Sequence, residues 1–117
     1  MGSYKDLEVW NLSMTLVENI YEVTRSFPKE EIYGLTSQIR RAAVSIPTNI
    51  AEGSARKTPK DFAHFIVIAY GSCCELETLF AVTQRIKILK EKEVEKFNTQ
   101  LASISRMLKA LRKSLHV

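Results

Sequence analysis

The sequence predicts an all-α protein, an up-and-down antiparallel four-helix bundle, on three observations. Apolar residues recur at spacings of three and four in four long stretches, the period of a helix with one buried face. No stretch alternates apolar and polar residues as a half-buried strand does. The connectors between the stretches are short and carry helix-ending or helix-starting residues, so successive helices run antiparallel. The 117 residues form a single domain, 1–117. A chain of that size buries about two-thirds of its unfolded surface, enough for a core without staples.

The first helix runs from near Asp6 to near Ser26, with Ser3 or Asp6 as its cap. Leu7, Trp10, Met14, Val17 and Tyr21 form one seam; Val9, Leu12, Leu16, Ile20, Val23 and Phe27 form a second. A helix this apolar touches more than one neighbour. Phe27-Pro28 ends it, because the residue before proline is pushed out of the α region. Lys29 to Gly34 is a connector whose Glu30 and Glu31 complement the N-terminal dipole of the next helix.

The second helix, Leu35 to Arg56, organises the chain. Leu35, Ile39, Ala42, Ile46, Ile50 and Gly53 fall on one side. Arg41, Ser45, Asn49, Glu52 and Arg56 share a sector of roughly 80° on another. An ordered polar stripe of this kind is either an internal hydrogen-bonded brace or a contact surface. Pro47 removes a backbone donor mid-helix and predicts a kink near Ala43. Ala42, Ala43 and Ala51 admit a close neighbour, and Gly53 is read as a stop.

Thr58-Pro59-Lys60-Asp61 starts the third helix: threonine caps, proline takes the first position and aspartate stands at N3. This helix reaches about Lys87, roughly 45 Å at 1.5 Å per residue. Phe62, Ile66, Ala69, Cys73, Leu76, Phe80 and Thr83 make one seam; Phe65, Ile68, Leu79 and Ile86 make another. Its first half is apolar nearly all round, a pattern that points to subunit contacts. Ile88 to Glu91 is a turn without a strong cap. The fourth helix covers about Lys92 to Leu115, with Val94, Phe97, Leu101, Ile104, Leu108, Leu111 and Leu115 in register.

Net charge is +4, a moderately basic balance compatible with nucleic acid or an acidic partner. The only cysteines, Cys73 and Cys74, are adjacent and point about 100° apart on a helix, so they do not bond each other. The lack of a disulfide framework suits the cytoplasm. The N-terminal stretch MGSYKDLEVW has no charged-then-apolar leader pattern, so no signal peptide is expected. The longest apolar run, Phe62 to Cys74, is too short to span a bilayer, and no membrane partner is expected.

His64 and His116 have no spaced ligand partners, and the cysteines cannot both face one zinc, so neither metal nor cofactor is expected. No Ser-His-Asp arrangement, phosphate-cradling glycine loop or inward carboxylate quartet is present, which argues against an enzyme. Arg40 and Arg41 are candidates for phosphate contact, since a guanidinium fork suits that group. The competing reading makes them braces, bonded to Glu75 and Glu52. Arg56, Lys57 and Lys60 cluster at the turn between the second and third helices. With Arg106, Lys109, Arg112 and Lys113, in a helix that has no acid after Glu95, they form a candidate backbone-tracking surface. The plain alternative is a solvated face that complements a helix dipole. Asn49, Glu52 and Gly53 have two readings, a site or, as such a block more often is, a helix end that fixes a turn. Tyr4, Tyr21, Tyr33 and Tyr70 do not interleave with the basic residues, so no stacking platform is legible. Trp10 reads as core or subunit contact.

Leu7 to Trp10 (LEVW), Phe27-Pro28, Tyr33-Gly34-Leu35, Gln38 to Ala43 (QIRRAA), Ser45-Ile46-Pro47, Asn49 to Gly53 (NIAEG) and Gly71-Ser72 with Glu75-Leu76 occur together and in order. This set resembles the four-helix-bundle family encoded by intervening sequences of bacterial 23S ribosomal RNA genes. That family is often labelled a ribosomal protein and is similar to accessory proteins of diversity-generating retroelements. The resemblance covers nearly the whole chain, and its arginine-pair-to-AEG block is the specific part. It implies a bundle, a homopentameric barrel and RNA or DNA binding, with Pro47, Asn49, Glu52, Gly53 and Glu75 as structural signature positions. Cys73-Cys74 and Ala110 depart from the pattern, where an aliphatic pair and a glycine are usual. The expectation is a non-enzymatic oligomer that binds structured RNA through phosphate contacts. The alternative is a protein-interaction scaffold that docks an RNA-handling enzyme such as a reverse transcriptase.

Overall fold

Each helix in the structure, a computed structural model describing residues 2–117, starts and stops where local chemistry dictates. Met1, the first residue of the stretch read as leaderless, lies outside the described residues. The helices are α1 (Glu8–Thr24), α2 (Leu35–Ser54), α3 (Pro59–Arg85) and α4 (Glu91–Ser114). Short 3-10 turns at Tyr4–Asp6 and Lys29–Glu31 precede α1 and α2. Among the described residues there is no strand.

Thr58 Oγ1 accepts the Asp61 N–H at 3.1 Å, as the Thr-Pro-Lys-Asp signal requires. The Glu31 carboxylate accepts the Leu35 N–H at 3.1 Å and caps α2 from outside. Ser3 and Asp6 do cap a turn, but it is the 3-10 turn. The Ser3 N–H donates to Asp6 Oδ2 at 3.1 Å, and α1 begins two residues later, behind Leu7, with no side-chain cap of its own. Between α3 and α4, where no strong signal was legible, Lys87 adopts φ 65°. The Ile88 N–H then donates to the Thr83 carbonyl at 2.9 Å and the Lys87 N–H to the Gln84 carbonyl at 3.1 Å. That is a Schellman ending, with lysine in the position glycine usually takes.

The helices pack in sequence order, α1 on α2, α2 on α3, α3 on α4, and α4 closes onto α1. The result is an up-and-down bundle 43 Å long and 23 × 20 Å across. Leu16, Ile20, Ile39, Ile46, Ile50, Ile66, Leu76, Phe80, Leu101, Ile104 and Leu108 are fully buried between them. Phe80 and Phe97 stack at 4.6 Å between α3 and α4. α3 is long and apolar enough by composition to cross a membrane. Its inward seam, Ile66, Ala69, Cys73, Leu76 and Phe80, instead packs in the core of the bundle.

Two further sequence expectations about packing are corrected. In α1 the core is made by Val9, Leu16 and Ile20 of the second seam, joined by Ser13 and Thr24. The hydroxyls fit because each donates to its own helix: Ser13 to the Trp10 carbonyl at 2.8 Å, Thr24 to the Ile20 carbonyl at 2.7 Å. The Trp10, Met14, Val17 and Tyr21 seam is left partly open, with Met14 and Tyr21 38% and 40% exposed. Gly53 is not a stop either. It lies inside α2 without a positive φ, and a Cβ there would come 2.7 Å from Phe65 Cβ. The glycine is a notch that lets α3 approach α2 closely. α2 continues as one helix across buried Pro47, while Thr48 Oγ1 and Asn49 Nδ2 donate to the Val44 and Ser45 carbonyls at 2.7 and 2.8 Å.

Candidate nucleic-acid interface

The up-and-down path returns the C-terminus of α4 to the end where α2 turns into α3. Leu7 before α1, Ser54 and Ala55 at the end of α2, Phe62 in α3 and Leu115 after α4 together line one hollow there. Two basic groups that are far apart in sequence therefore share one end of the bundle. Arg56, Lys57 and Lys60 come from the α2–α3 turn, and Arg106, Lys109, Arg112 and Lys113 from the last turns of α4. All seven are exposed. Thr58 and Pro59 fix the turn, and so set the direction in which Lys57 and Lys60 leave it.

None of these seven cations is paired with a carboxylate. Among the described residues the one ion pair is Arg25–Glu22, 2.9 Å, at the opposite end and exposed on both sides. Such a pair contributes little to stability. Arg56 lies over the Phe65 ring, 4.7 Å from its centre, and Lys109 Nζ lies 5.1 Å from the centre of the Tyr70 ring. Arg106 Nη2 donates to Ser103 Oγ at 3.3 Å along its own helix. These three cations are held by aromatic faces or a hydroxyl, and the charge of all seven stays open to an anion.

Arg40 and Arg41 stand apart from this end, about 22 Å along α2 from Arg56 at 1.5 Å per residue. Their roles split. Half-buried Arg40 donates Nε–H to Thr24 Oγ1 at 2.8 Å, and its guanidinium lies 4.6 Å over the Tyr21 ring. Exposed Arg41 makes no hydrogen bond or ion pair, although it lines a polar cleft with Tyr33, Ser45, Ser72 and Glu75. The expected arginine bonds to Glu75 and Glu52 are therefore not formed. Arg40 turns toward α1 and Arg41 reaches the cleft beside α3, while both also line a shallow cleft with Tyr21, Ile32 and Val44.

The polar stripe of α2 is divided in the same way. Asn49 Nδ2 donates to Ser45 Oγ at 2.9 Å, and Ser72 Oγ of α3 donates to the same oxygen at 2.9 Å. This is an internal brace between α2 and α3. Asn49 serves it rather than a helix end. Arg41, Glu52 and Arg56, on the same stripe, remain exposed.

A family model described as 23S rRNA-intervening sequence protein matches residues 5–110. The chain belongs to that family. A crystal structure of a protein with unknown function from the S23 ribosomal protein family of Bacteroides thetaiotaomicron shares the fold of this intervening-sequence protein. The two agree with a TM-score of 0.82 at 22% sequence identity, over 90% of this chain and 95% of that one. No curated protein matches the chain. Neither the family description nor that of the structural neighbour names a reaction.

Two features of the intervening-sequence protein were not legible in its sequence. Phe65 and Tyr70 act as seats for Arg56 and Lys109, although neither aromatic is near its cation in the chain. A second is an apolar groove of about 620 Å³ between α1 and α2, lined by Trp10, Met14, Val17, Val44, Pro47 and Ala51, with Glu52 at its edge. Tyr4 meets Trp10 edge-on there, with ring centres 5.2 Å apart.

Proposed function

We propose that this intervening-sequence protein is a non-enzymatic, oligomeric bundle that binds nucleic acid, structured RNA above all, through phosphate contacts at its basic end. The observation that carries the reading is that the α2–α3 turn and the last turns of α4 bring seven exposed cations without a carboxylate partner to one end of the bundle. Phosphate binding by lysine and arginine releases condensed counterions, so unpaired, exposed cations gathered at one end are what such binding needs. Nothing in the helices resembles a recognition helix with base-reading side chains, so the binding reads backbone shape rather than sequence. The family's ribosomal RNA context makes RNA the first ligand to test.

Copies of the chain assemble through the open seam of α1, and five is the number that the family resemblance carries. Met14, Tyr21 and Val44 stay 38–40% exposed beside the α1–α2 groove, an apolar face that a lone subunit leaves wet. Assembly repeats the basic end, so individually weak phosphate contacts add through avidity. The place of action in this reading is the cytoplasm, with both thiols reduced.

The same groove favours a second reading, in which the oligomer is a scaffold that docks an RNA-handling enzyme. Salt-titrated binding to a structured RNA separates the two. Direct contact predicts that affinity falls steeply with salt, and that Lys109→Gln with Lys113→Gln lowers both affinity and salt slope. Affinity indifferent to salt and to both changes favours the scaffold.

A further inference from the structure

We infer that the cleft between α3 and α4 beside Lys109 is a subsite for one unpaired base of a bound RNA strand. The inference rests on the nucleic-acid reading above and names the feature of the ligand that the basic end selects. The cleft is lined by Ile66, Val67 and Tyr70 of α3 and by Leu108, Lys109 and Arg112 of α4, and encloses about 220 Å³.

Its size excludes most occupants. Pockets for drug-sized ligands begin at roughly 300 Å³, and a helix is about 10 Å across. A flat ring system is the group that fits. Its chemistry narrows the choice further. The floor is aliphatic, and one wall is the half-buried Tyr70 ring. Two exposed cations, Lys109 and Arg112, stand one turn apart on the rim. A flat apolar face next to two anion-seeking groups is complementary to a nucleotide, which joins a base to a phosphate.

Lys109 already shows what the cleft attracts. Its ammonium lies over the Tyr70 face at 5.1 Å, the position of a cation held by the ring quadrupole. An exposed contact of this kind is weak and is easily exchanged. When a strand arrives, the lysine moves the short distance to the phosphate, and the base takes its place against Tyr70. A base within a duplex cannot reach the ring, because its faces are covered by its neighbours. The subsite therefore selects an extruded or single-stranded nucleotide, as base-stacking platforms on aromatic side chains do.

The test uses the full chain and two RNA hairpins that differ at one bulged nucleotide, which is either a normal uridine or an abasic ribose. Both keep every phosphate. Stacking of one base predicts that the uridine hairpin binds about tenfold more tightly than the abasic one. In Tyr70→Leu, which keeps the site apolar, the two hairpins bind alike; in Tyr70→Phe, which keeps the ring, the difference returns. If wild-type protein binds both hairpins equally and in a salt-dependent way, the subsite is wrong while the phosphate-binding reading stands. If it binds neither, both fall.

Discussion

Arg40 ties α2 to α1 through a hydroxyl: its Nε–H donates to Thr24 Oγ1 at 2.8 Å, while the Thr24 O–H donates to the Ile20 carbonyl at 2.7 Å. The guanidinium is also seated on Tyr21. Its neighbour Arg41 touches no partner. At fixed protein concentration, Arg40→Ala should lower stability by about 1–2 kcal/mol, the worth of a charged hydrogen bond and an exposed cation–π contact. Arg41→Ala should stay within about 0.5 kcal/mol. Urea unfolding checks both, and a cycle with Thr24→Val should give a coupling on the order of 1 kcal/mol for Arg40.

Two glycines on facing helices should respond to alanine with opposite signs. A Cβ at Gly53 would meet Phe65 Cβ at 2.7 Å and Phe62 Cδ1 at 2.9 Å. The Phe62 ring can turn away, but Phe65 Cβ is fixed to its backbone, so α2 and α3 must part. Gly53→Ala should cost about 1–3 kcal/mol. Gly71 has nothing within 4 Å of its added Cβ, and it lies mid-helix in α3. Gly71→Ala should stabilise by roughly 0.5–1 kcal/mol through helix propensity. Thermal melts of the two variants decide this.

Lys87 is held at φ 65° by the turn that links α3 to α4. A left-handed conformation costs a residue with a Cβ about 1–2 kcal/mol, and glycine much less. The Lys87 side chain is exposed, so nothing is lost by removing it. Lys87→Gly should raise the melting temperature, by several degrees for a gain of about 1 kcal/mol.

Burial pushes the Cys73 thiol up from its ordinary 9.0 to about 11, against the downward pull of a hydrogen bond from Ser105, while Cys74 and Glu77 raise it slightly further. The unfolded chain therefore gives up this proton first. The resulting stability is intact below pH 9.0 and is lost as pH rises toward 11, on the order of 2 kcal/mol for this one group. Comparing urea midpoints at pH 8 and pH 11 for wild type and Cys73→Ala isolates it: the variant should show the shallower decline. At neutral pH a thiol reagent should modify exposed Cys74 and spare Cys73 until the bundle unfolds.

The bundle was legible because periodicity and caps are local. Thr58 and Pro59 start α3 as read, and the seam from Ile66 to Thr83 is buried as read. What periodicity does not rank is two apolar stripes on one helix. In α1 the seam with larger residues, Trp10 and Met14, lies at the groove, and the core takes Ser13 and Thr24 instead, because their hydroxyls are satisfied within the helix. The basic end was half legible. Up-and-down topology alone brings Arg56 and Lys109 to one end, but their seats on Phe65 and Tyr70 depend on how α3 turns against its neighbours. Gly53 misled for a related reason: the residue that ends helices also admits close ones, and only the position of Phe65 distinguishes the two.

Sedimentation velocity, run with and without a structured RNA at low salt, tests the account most directly. The account predicts protein sedimenting as an assembly of several 13.3 kDa chains, with the RNA moving in the same boundary and leaving it as salt is raised. Single chains that sediment apart from the RNA at every salt concentration would contradict it.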